Sequence, residues 1–407
     1  MAEILFLAHR VPWPPNRGDK IRSHHFLQKL MDFAAVHVAC FADDEMEQQT
    51  DWIRKAELAS SEIVVREKPK WRAGIEAILS GKPVSLTSFE SAKISAYVAH
   101  LVATRPIDCI FIFSGQMAQF IPSNFTGRVV MDFADVDSAK FESYADAGAG
   151  PMAWINGREG RLLKEFEKNI AERADYSLFV SEAEAELFRK RAALSDEKVK
   201  AVGNGIDGAF YSALDVAPAK LEGCKSLILF TGQMDYQPNV EAVESFSNTV
   251  MPEVLSRFAD ARFAIVGRAP TEKVKQLDQK NGTVVTGSVD DIRSWIEAAD
   301  VVVAPLRIAR GIQNKVLEAM AMAKPVVASQ CAAEGINANH GEHFMVADTI
   351  DLEAGLVCEL LAAPDQGQQM GARAKALIAS HYSWETQLAN LPSLCGLSEP
   401  VAKEAAA

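Results

Sequence analysis

The stretch from Asp300 to Ser329, DVVVAPLRIARGIQNKVLEAMAMAKPVVAS, limits the fold more than any other part of this 407-residue chain. It reads as a strand, a glycine-containing loop, a short helix and a second strand, and two strands joined through a helix run parallel. The loop carries Arg310, Gly311, Gln313 and Asn314. The helix opens with Lys315 and Glu318, three residues apart and therefore on one face. The rest of that helix, LEAMAMA, is apolar and belongs in a core. A charged pair entering a buried helix marks a site more often than decoration, although a plain surface Lys–Glu pair is the alternative. A helix N-terminus, a cation and a carboxylate aimed at one point suit a nucleotide diphosphate, which needs N–H donors, positive charge and an acceptor for ribose hydroxyls.

The same alternation runs through the whole chain. In the first half, strands are expected near Glu3–His9, Val36–Ala42, Glu62–Arg66, Cys109–Ser114, Arg128–Phe133, Tyr176–Ser181 and Val199–Gly203, with helices near Asp19–Phe33, Ser91–Thr104, Trp154–Arg173 and Glu182–Ala192. In the second half, strands fall at Leu227–Thr231, Arg262–Val266, Thr283–Thr286, Val301–Pro305 and Val326–Ala328. Helices there are expected near Val240–Arg257, Glu272–Lys280, Asp290–Ala299, Lys315–Ala323 and Leu352–Leu361. Asn204–Cys224 opens on a turn signal and lacks sustained periodicity, which makes it the boundary between two doubly wound parallel-sheet domains. Sheets of this kind bind ligands at their C-terminal edges, so a cleft between the two domains is expected. The Ala-rich tail after Glu399 reads as disordered.

Composition excludes several classes. A formal charge of −12 argues against a nucleic-acid partner. No apolar run reaches the roughly 18 residues of a membrane span, and Ile4–Ala8 is too short for a signal peptide, so it reads as a first strand. The six cysteines are scattered without a CxxC pair, which suggests a reducing, cytoplasmic setting with neither disulfides nor a metal.

Three further segments hold chemistry. PWPPNRGDKIR follows the first strand; Gly18 precedes a helix that Asp19 could cap, and its N–H could face phosphate, with a plain strand-to-helix connection as the alternative. Asp132, Asp135 and Asp137 follow the strand Arg128–Met131, where they could orient an acceptor hydroxyl, act as a base, hold a divalent metal or merely cap the next helix. His9 ends the first strand and could face the cleft, although a satisfied structural histidine is the favoured reading. Arg66–Lys82 contains five basic and two acidic residues, with Trp71, Ile75, Ile78 and Leu79 at helical spacing. An amphipathic helix packed on the sheet is the favoured reading there, and peripheral contact with anionic lipid at the inner face of a membrane is the other.

Taken together, VSEAEAELF, VGNGID, FTGQMDYQPNVEAV, FAIVGR, TGSVDDIRSWIEAADVVVAPL, NKVLEAMAMAKPVVAS and AAEGINANHGEHFMVAD resemble the retaining GT-B glycosyltransferases of family 4, group 1. HRVPWPPNRGDKIRSHHFL and MDFADVDSAKFESYA are similar to the sugar transferases associated with exosortase, or PEP-CTERM, and exopolysaccharide loci. The resemblance implies an α/β GT-B architecture of two Rossmann-like domains facing a cleft. Residues 1–205 would bind a glycan or lipid-linked acceptor, 206–381 a UDP- or GDP-linked sugar donor, and a helix at about 382–395 would pack back on the first domain. Glu318 matches the glutamate that holds the donor ribose, Val289 the position whose backbone meets the base, and Gly18 the glycine facing the diphosphate. Gly232, Gln233, Gly311, Gln313, Asn314 and Lys315 complete the implied donor site.

The pattern also departs from the family. Arg310 stands eight positions before Glu318, where the family has a second glutamate. The basic pair after the second domain's first strand falls on Gln233 and Asn239, and Ser114–Gln116 replace a histidine loop. Phosphate charge must then be met by Lys315, with Arg268 and Arg310 next, while Asp135 serves the acceptor. The reaction implied is glycosyl transfer with retention and without a metal or other cofactor. A sugar-nucleotide epimerase and a non-catalytic sugar-nucleotide-binding assembly protein are the alternatives.

Overall fold

The structure, a computed structural model, describes residues 2–15, 17–48, 57–211, 216–309 and 312–398. It divides into two compact units. One is Met1–Val202 together with the segment that begins at Leu388, and the other is Gly203–Gln387.

The first unit is built on seven parallel strands: β1 (Glu3–Ala8), β2 (Ala35–Ala42), β3 (Ser60–Val65), β4 (Ile107–Phe113), β5 (Arg128–Ala134), β6 (Tyr176–Phe179) and β7 (Val199–Ala201). Their order is β3-β2-β1-β4-β5-β6-β7. β1 and β4 are apolar along nearly their whole length because helices cover both faces of a parallel sheet. The longer helices are α1 (Gly18–Met31), α2 (Lys70–Ser80), α3 (Ala92–Thr104), α4 (Asp137–Ala147), α5 (Gly150–Arg173) and α6 (Glu182–Ala192). Arg22 ties α1 to β5: its Nε and Nη2 donate to Asp132 Oδ2 and Oδ1 at 2.8 and 3.0 Å, and both side chains are buried. The returning C-terminal segment is held on this unit by Arg128, which donates to the carbonyls of Ser393 and Leu394 at 3.2 and 3.1 Å.

The second unit has six parallel strands: β8 (Ser226–Thr231), β9 (Ala261–Val266), β10 (Thr283–Gly287), β11 (Val301–Ala304), β12 (Val326–Ser329) and β13 (Met345–Ala347). Their order is β10-β9-β8-β11-β12-β13. Its longer helices are α7 (Gln237–Ser245), α8 (Met251–Arg257), α9 (Ile292–Ala298), α10 (Asn314–Ala321), α11 (Ile350–Ala362) and α12 (Pro364–His381). The chain enters and leaves this unit side by side, with the Ile206 N–H on the Tyr382 carbonyl at 2.6 Å. A Cβ on Gly205 would meet the Trp384 backbone at 2.5 Å, so only glycine passes there.

The two parallel α/β sheets expected from the alternation are present. The helix expected over Val240–Arg257 is present, running without a break from Gln237 to Arg257 with a wide π-type turn at Phe246–Val250, just ahead of Pro252, which has no N–H for the helical ladder. Other local expectations are corrected. The helix expected over Glu272–Lys280 ends at Lys275, and β13 is an added edge strand too short for periodicity to reveal. Asp19 does not cap α1; Arg17 is the N-cap residue, and the Asp19 carboxylate is taken by Arg10, Arg17 and His9. α2 does not turn its large apolar side chains to the sheet: Ala73 and Ala77 face inward.

Removing one member of a buried, bidentate ion pair leaves an uncompensated charge. Arg22→Met should therefore destabilise the protein by about 3–5 kcal/mol in chemical unfolding, whereas Arg22→Met/Asp132→Leu should recover most of that loss. An equal loss in the single and double variants would show that the pair itself is not responsible.

Candidate functional site

Strand order reverses between β8 and β11 in the second unit, and ligands of doubly wound sheets sit at such a reversal, beyond the strands' C-terminal ends. Gly232 ends β8, and the loop after β11 leads into α10. α10 buries Val316, Leu317, Ala319, Met320 and Ala321, which leaves Lys315 and Glu318 on its half-buried side.

Lys315 reaches back over β8. Its ammonium donates to Asn239 Oδ1 at 2.7 Å and lies 4.1 Å above the Phe230 ring. Asn239 in turn donates to the Gln233 carbonyl at 2.9 Å, and the Arg268 guanidinium donates to Gln233 Oε1 at 3.1 Å. Glycine is required twice in this corner. A Cβ on Gly232 would stand 2.8 Å from Asn239 Nδ2 and 3.2 Å from Lys315 Nζ, and one on Gly267 would overlap the Gly232 carbonyl outright. Gly232, Gln233, Arg268 and Lys315 are thus one cluster. Asn239, which the sequence marks only as the place of a missing base, is the partner that orients the lysine.

Desolvation lowers the Lys315 pKa to about 7, against the opposing pull of Glu318. Burial raises the Glu318 carboxyl, while a hydrogen bond from Tyr211 and the Lys315 charge work the other way. Burial and the Glu318 charge push the Tyr211 hydroxyl up, so it stays protonated and donates to the carboxylate. Tyr211 belongs to a single helical turn, Gly208–Tyr211, more than a hundred residues from its partner, and no sequence spacing announces it. Asn314, the first residue of α10, has a buried amide oxygen with no hydrogen-bond partner among the described residues. Gln313 is the N-cap residue. Val289 lies beyond β10, partly buried against the core. Arg310 and Gly311 lie outside the described residues.

The first unit reverses its strand order between β1 and β4. His9 follows β1, and its Nε2 is 3.3 Å from Asp19 Oδ2 while its buried Nδ1 has no partner among the described residues. Burial holds its pKa below the ordinary value, so the ring is neutral at pH 7. This is not the satisfied histidine expected from the sequence. Gly18, the exposed first residue of α1, has open space where a Cβ would stand. Of the three aspartates, Asp132 is committed to Arg22. Asp135 is exposed and follows Ala134, a non-glycine residue at φ +63°. Desolvation and the charges of Glu184 and Asp137 raise its carboxyl, an effect its exposure tempers. Among the described residues, no three His, Cys, Asp or Glu side chains assemble as a metal-ligand group.

The architecture matches solved GT-B structures along almost its full length. HepE of Anabaena, determined in complex with UDP and glucose, superposes with a TM-score of 0.67 at 14% identity, covering 97% of this chain and 100% of that one. Sucrose-phosphate synthase of Thermosynechococcus elongatus gives 0.69 at 15% identity, covering 97% and 98%. The fold is therefore GT-B, two Rossmann-like parallel-sheet domains. Residues 225–363, which lie in the second unit, match the family described as Glycosyl transferases group 1. A GDP-mannose-dependent alpha-(1-6)-phosphatidylinositol monomannoside mannosyltransferase of Mycobacterium tuberculosis is 28% identical over 158 residues, 35% of this chain and 41% of that protein. An uncharacterized 44.6 kDa protein in the cps region of Klebsiella pneumoniae is 24% identical over 129 residues, 30% of this chain and 33% of its own.

A lysine of pKa about 7 is a neutral nucleophile at pH values where ordinary lysines, near 10.4, are protonated. Competitive acylation followed by peptide mapping should label Lys315 with a midpoint close to pH 7. A midpoint near 10 would show that the corner does not desolvate it.

Proposed function

We propose that this chain is a retaining glycosyltransferase that moves a sugar from a UDP- or GDP-linked donor to a glycan or lipid-linked acceptor, on the cytoplasmic side, in the building of an exopolysaccharide or other cell-surface polysaccharide. The observation that carries this is the half-buried Lys315 ammonium at the strand-order reversal, with Glu318 one turn further along the same helix face. HepE binds UDP on the same fold, and the mycobacterial relative uses GDP-mannose, which supports a nucleotide-sugar donor without choosing between the two bases.

In this reading the diphosphate lies against the N-terminus of α10 and Lys315, with Arg268 at the outer edge and Arg310 as the remaining cation. Glu318 accepts hydrogen bonds from the ribose, held in place by Tyr211, and the base lies near the Val289 backbone. Gly232, Gln233, Gln313 and Asn314 complete the donor site, to which the family resemblance adds Gly311 and Gly18. The acceptor oxygen bonds to the anomeric carbon on the face from which the diphosphate departs. The bond to the β-phosphate oxygen breaks, and the acceptor's proton passes to that leaving oxygen. Asp135 orients the acceptor. Negative charge grows on the β-phosphate during this step, so the charge of protonated Lys315 and the helix N-terminus counts most in the transition state. No metal or other cofactor is needed for the step as written.

The first experiment is thermal stabilisation by UDP and GDP. A nucleotide at a hundred times its Kd should stabilise the fold by about 2.7 kcal/mol, and no shift with either would overturn the reading. Transfer from UDP- and GDP-sugars is then followed by NMR of the product's anomeric centre, where retention is expected.

Lys315→Ala should lower kcat by on the order of a hundredfold while the protein remains folded. The lysine must be charged to meet phosphate, and its folded pKa is depressed. kcat/KM should accordingly be flat below about pH 7 and fall as pH rises through that value. In Lys315→Arg, whose guanidinium stays charged, the decline should vanish whatever activity survives. A pH profile that is the same in both proteins would remove Lys315 from this role.

A further inference from the structure

A four-residue helical turn is not stable by itself, and Gly208–Tyr211 is fastened from outside. Asp207 holds its start. Its Oδ1 accepts from the Phe210 N–H at 3.0 Å, and its carbonyl accepts from the Tyr211 N–H at 3.0 Å. Arg293, at the start of α9, holds its end. Its Nη1 donates to the Phe210 carbonyl at 3.0 Å, and its guanidinium lies 4.1 Å over the Phe210 ring. Asp291 fixes that guanidinium in turn, accepting from Nε at 3.0 Å and from Nη2 at 2.6 Å. The Phe210 ring meets the Tyr211 ring edge to face, with centroids 5.0 Å apart. These contacts hold the turn against α10, where the Tyr211 hydroxyl donates to Glu318.

Tyr211, Glu318 and Lys315 form a chain of three coupled groups. Glu318 and Lys315 are half-buried on one face of α10. Burial works against the charge of each, and each charge supports the other. A pair coupled in this way has two self-consistent states, both charged or both neutral. The phenol favours the charged state, because its hydroxyl donates to a carboxylate. Asp207 and Asp291 also face the phenol, and their charge, like that of Glu318, keeps it protonated. Without that donor, burial would leave Glu318 protonated to higher pH. Lys315 would then lose the negative charge that favours its own.

We propose that Tyr211 is a positioning residue of the donor site: its hydroxyl keeps Glu318 an ionised, correctly turned acceptor for the ribose hydroxyls and, through Glu318, sustains the charge on Lys315. The ribose contact rests on the donor reading above, whereas the coupling of the three side chains does not. The nucleotide is then met at two points, ribose and phosphate, by two side chains whose charges rise and fall together. Arg293 and Asp291 serve the same end at one remove, since they fix the turn that carries the phenol.

The test reads Lys315 in the ligand-free full chain by competitive acylation and peptide mapping, in the wild type, Tyr211→Phe, Glu318→Gln and the double variant. Tyr211→Phe keeps the ring and removes only the hydroxyl. The Lys315 midpoint should fall by roughly one pH unit in each single variant, because each takes negative charge from beside the lysine. The double variant should fall no further, as expected of residues acting in one chain. An unchanged midpoint in Tyr211→Phe would overturn the proposal, as would two falls that simply add. Thermal stabilisation by UDP and GDP, each beside its 2′,3′-dideoxy analogue, then reads the ribose. The wild type should prefer the intact nucleotide roughly tenfold or more, and Tyr211→Phe should lose most of that preference. The same preference in both proteins would overturn the ribose role. A lowered midpoint with no response to either nucleotide would uphold the coupling and overturn the donor reading instead.

Discussion

A parallel sheet whose strand order reverses has one place that its own connections cannot cover. The loops after the two central strands leave in opposite directions, and the ground between them stays open. In the second unit that place is the gap between β8 and β11, and its chemistry follows from what those strands deliver. β8 contributes Phe230, whose ring lies under an ammonium, and Gly232, which lets Asn239 and Lys315 come close to backbone. The loop after β11 delivers α10 with Lys315 and Glu318 on one side. Without the bare backbone of Gly232 and Gly267, side chains would fill the corner and displace the lysine.

The lysine's environment is a balance of opposed terms. Removing an ammonium from water disfavours its charge, while the amide of Asn239, the face of Phe230 and the carboxyl of Glu318 favour it. The result is a cation whose charge depends on what binds, a suitable property for a group that meets a phosphate only part of the time. Tyr211 holds Glu318 in the same way that Asn239 holds Lys315. Each charged side chain is oriented by a neutral neighbour from a distant part of the chain.

Much of this was legible in the residues. Among the described residues, the alternation of aliphatic runs and amphipathic stretches located twelve of the thirteen strands, and β13 escaped because Met345–Ala347 is too short to show a period. The spacing of Lys315 and Glu318 placed them on one helix face without help. Asp135 and Asp132 could not be told apart by sequence, since both stand near the end of one apolar run; in the structure Asp132 lies inside β5 and Asp135 just beyond it. Their different fates depend on Arg22, which α1 brings to one and not to the other. His9 was misjudged for the same reason: whether a ring nitrogen finds a partner is a property of the neighbours, not of the residue.

Hydrophobic period and local chemistry act over a few residues, so the sequence alone determined the α/β class, the order of strands and helices, and which side chains share a helix face. It could not determine which way a face points. The apolar spacing of Trp71, Ile75, Ile78 and Leu79 is the same whether α2 turns that face to the sheet or away from it. Only the packed structure decided, because the inward contact is made by Ala73 and Ala77. In the same way only tertiary contact chose Asn239 and Tyr211 as partners for Lys315 and Glu318. The strands that carry them to one sheet edge meet through long-range pairing, and no local pattern encodes that meeting.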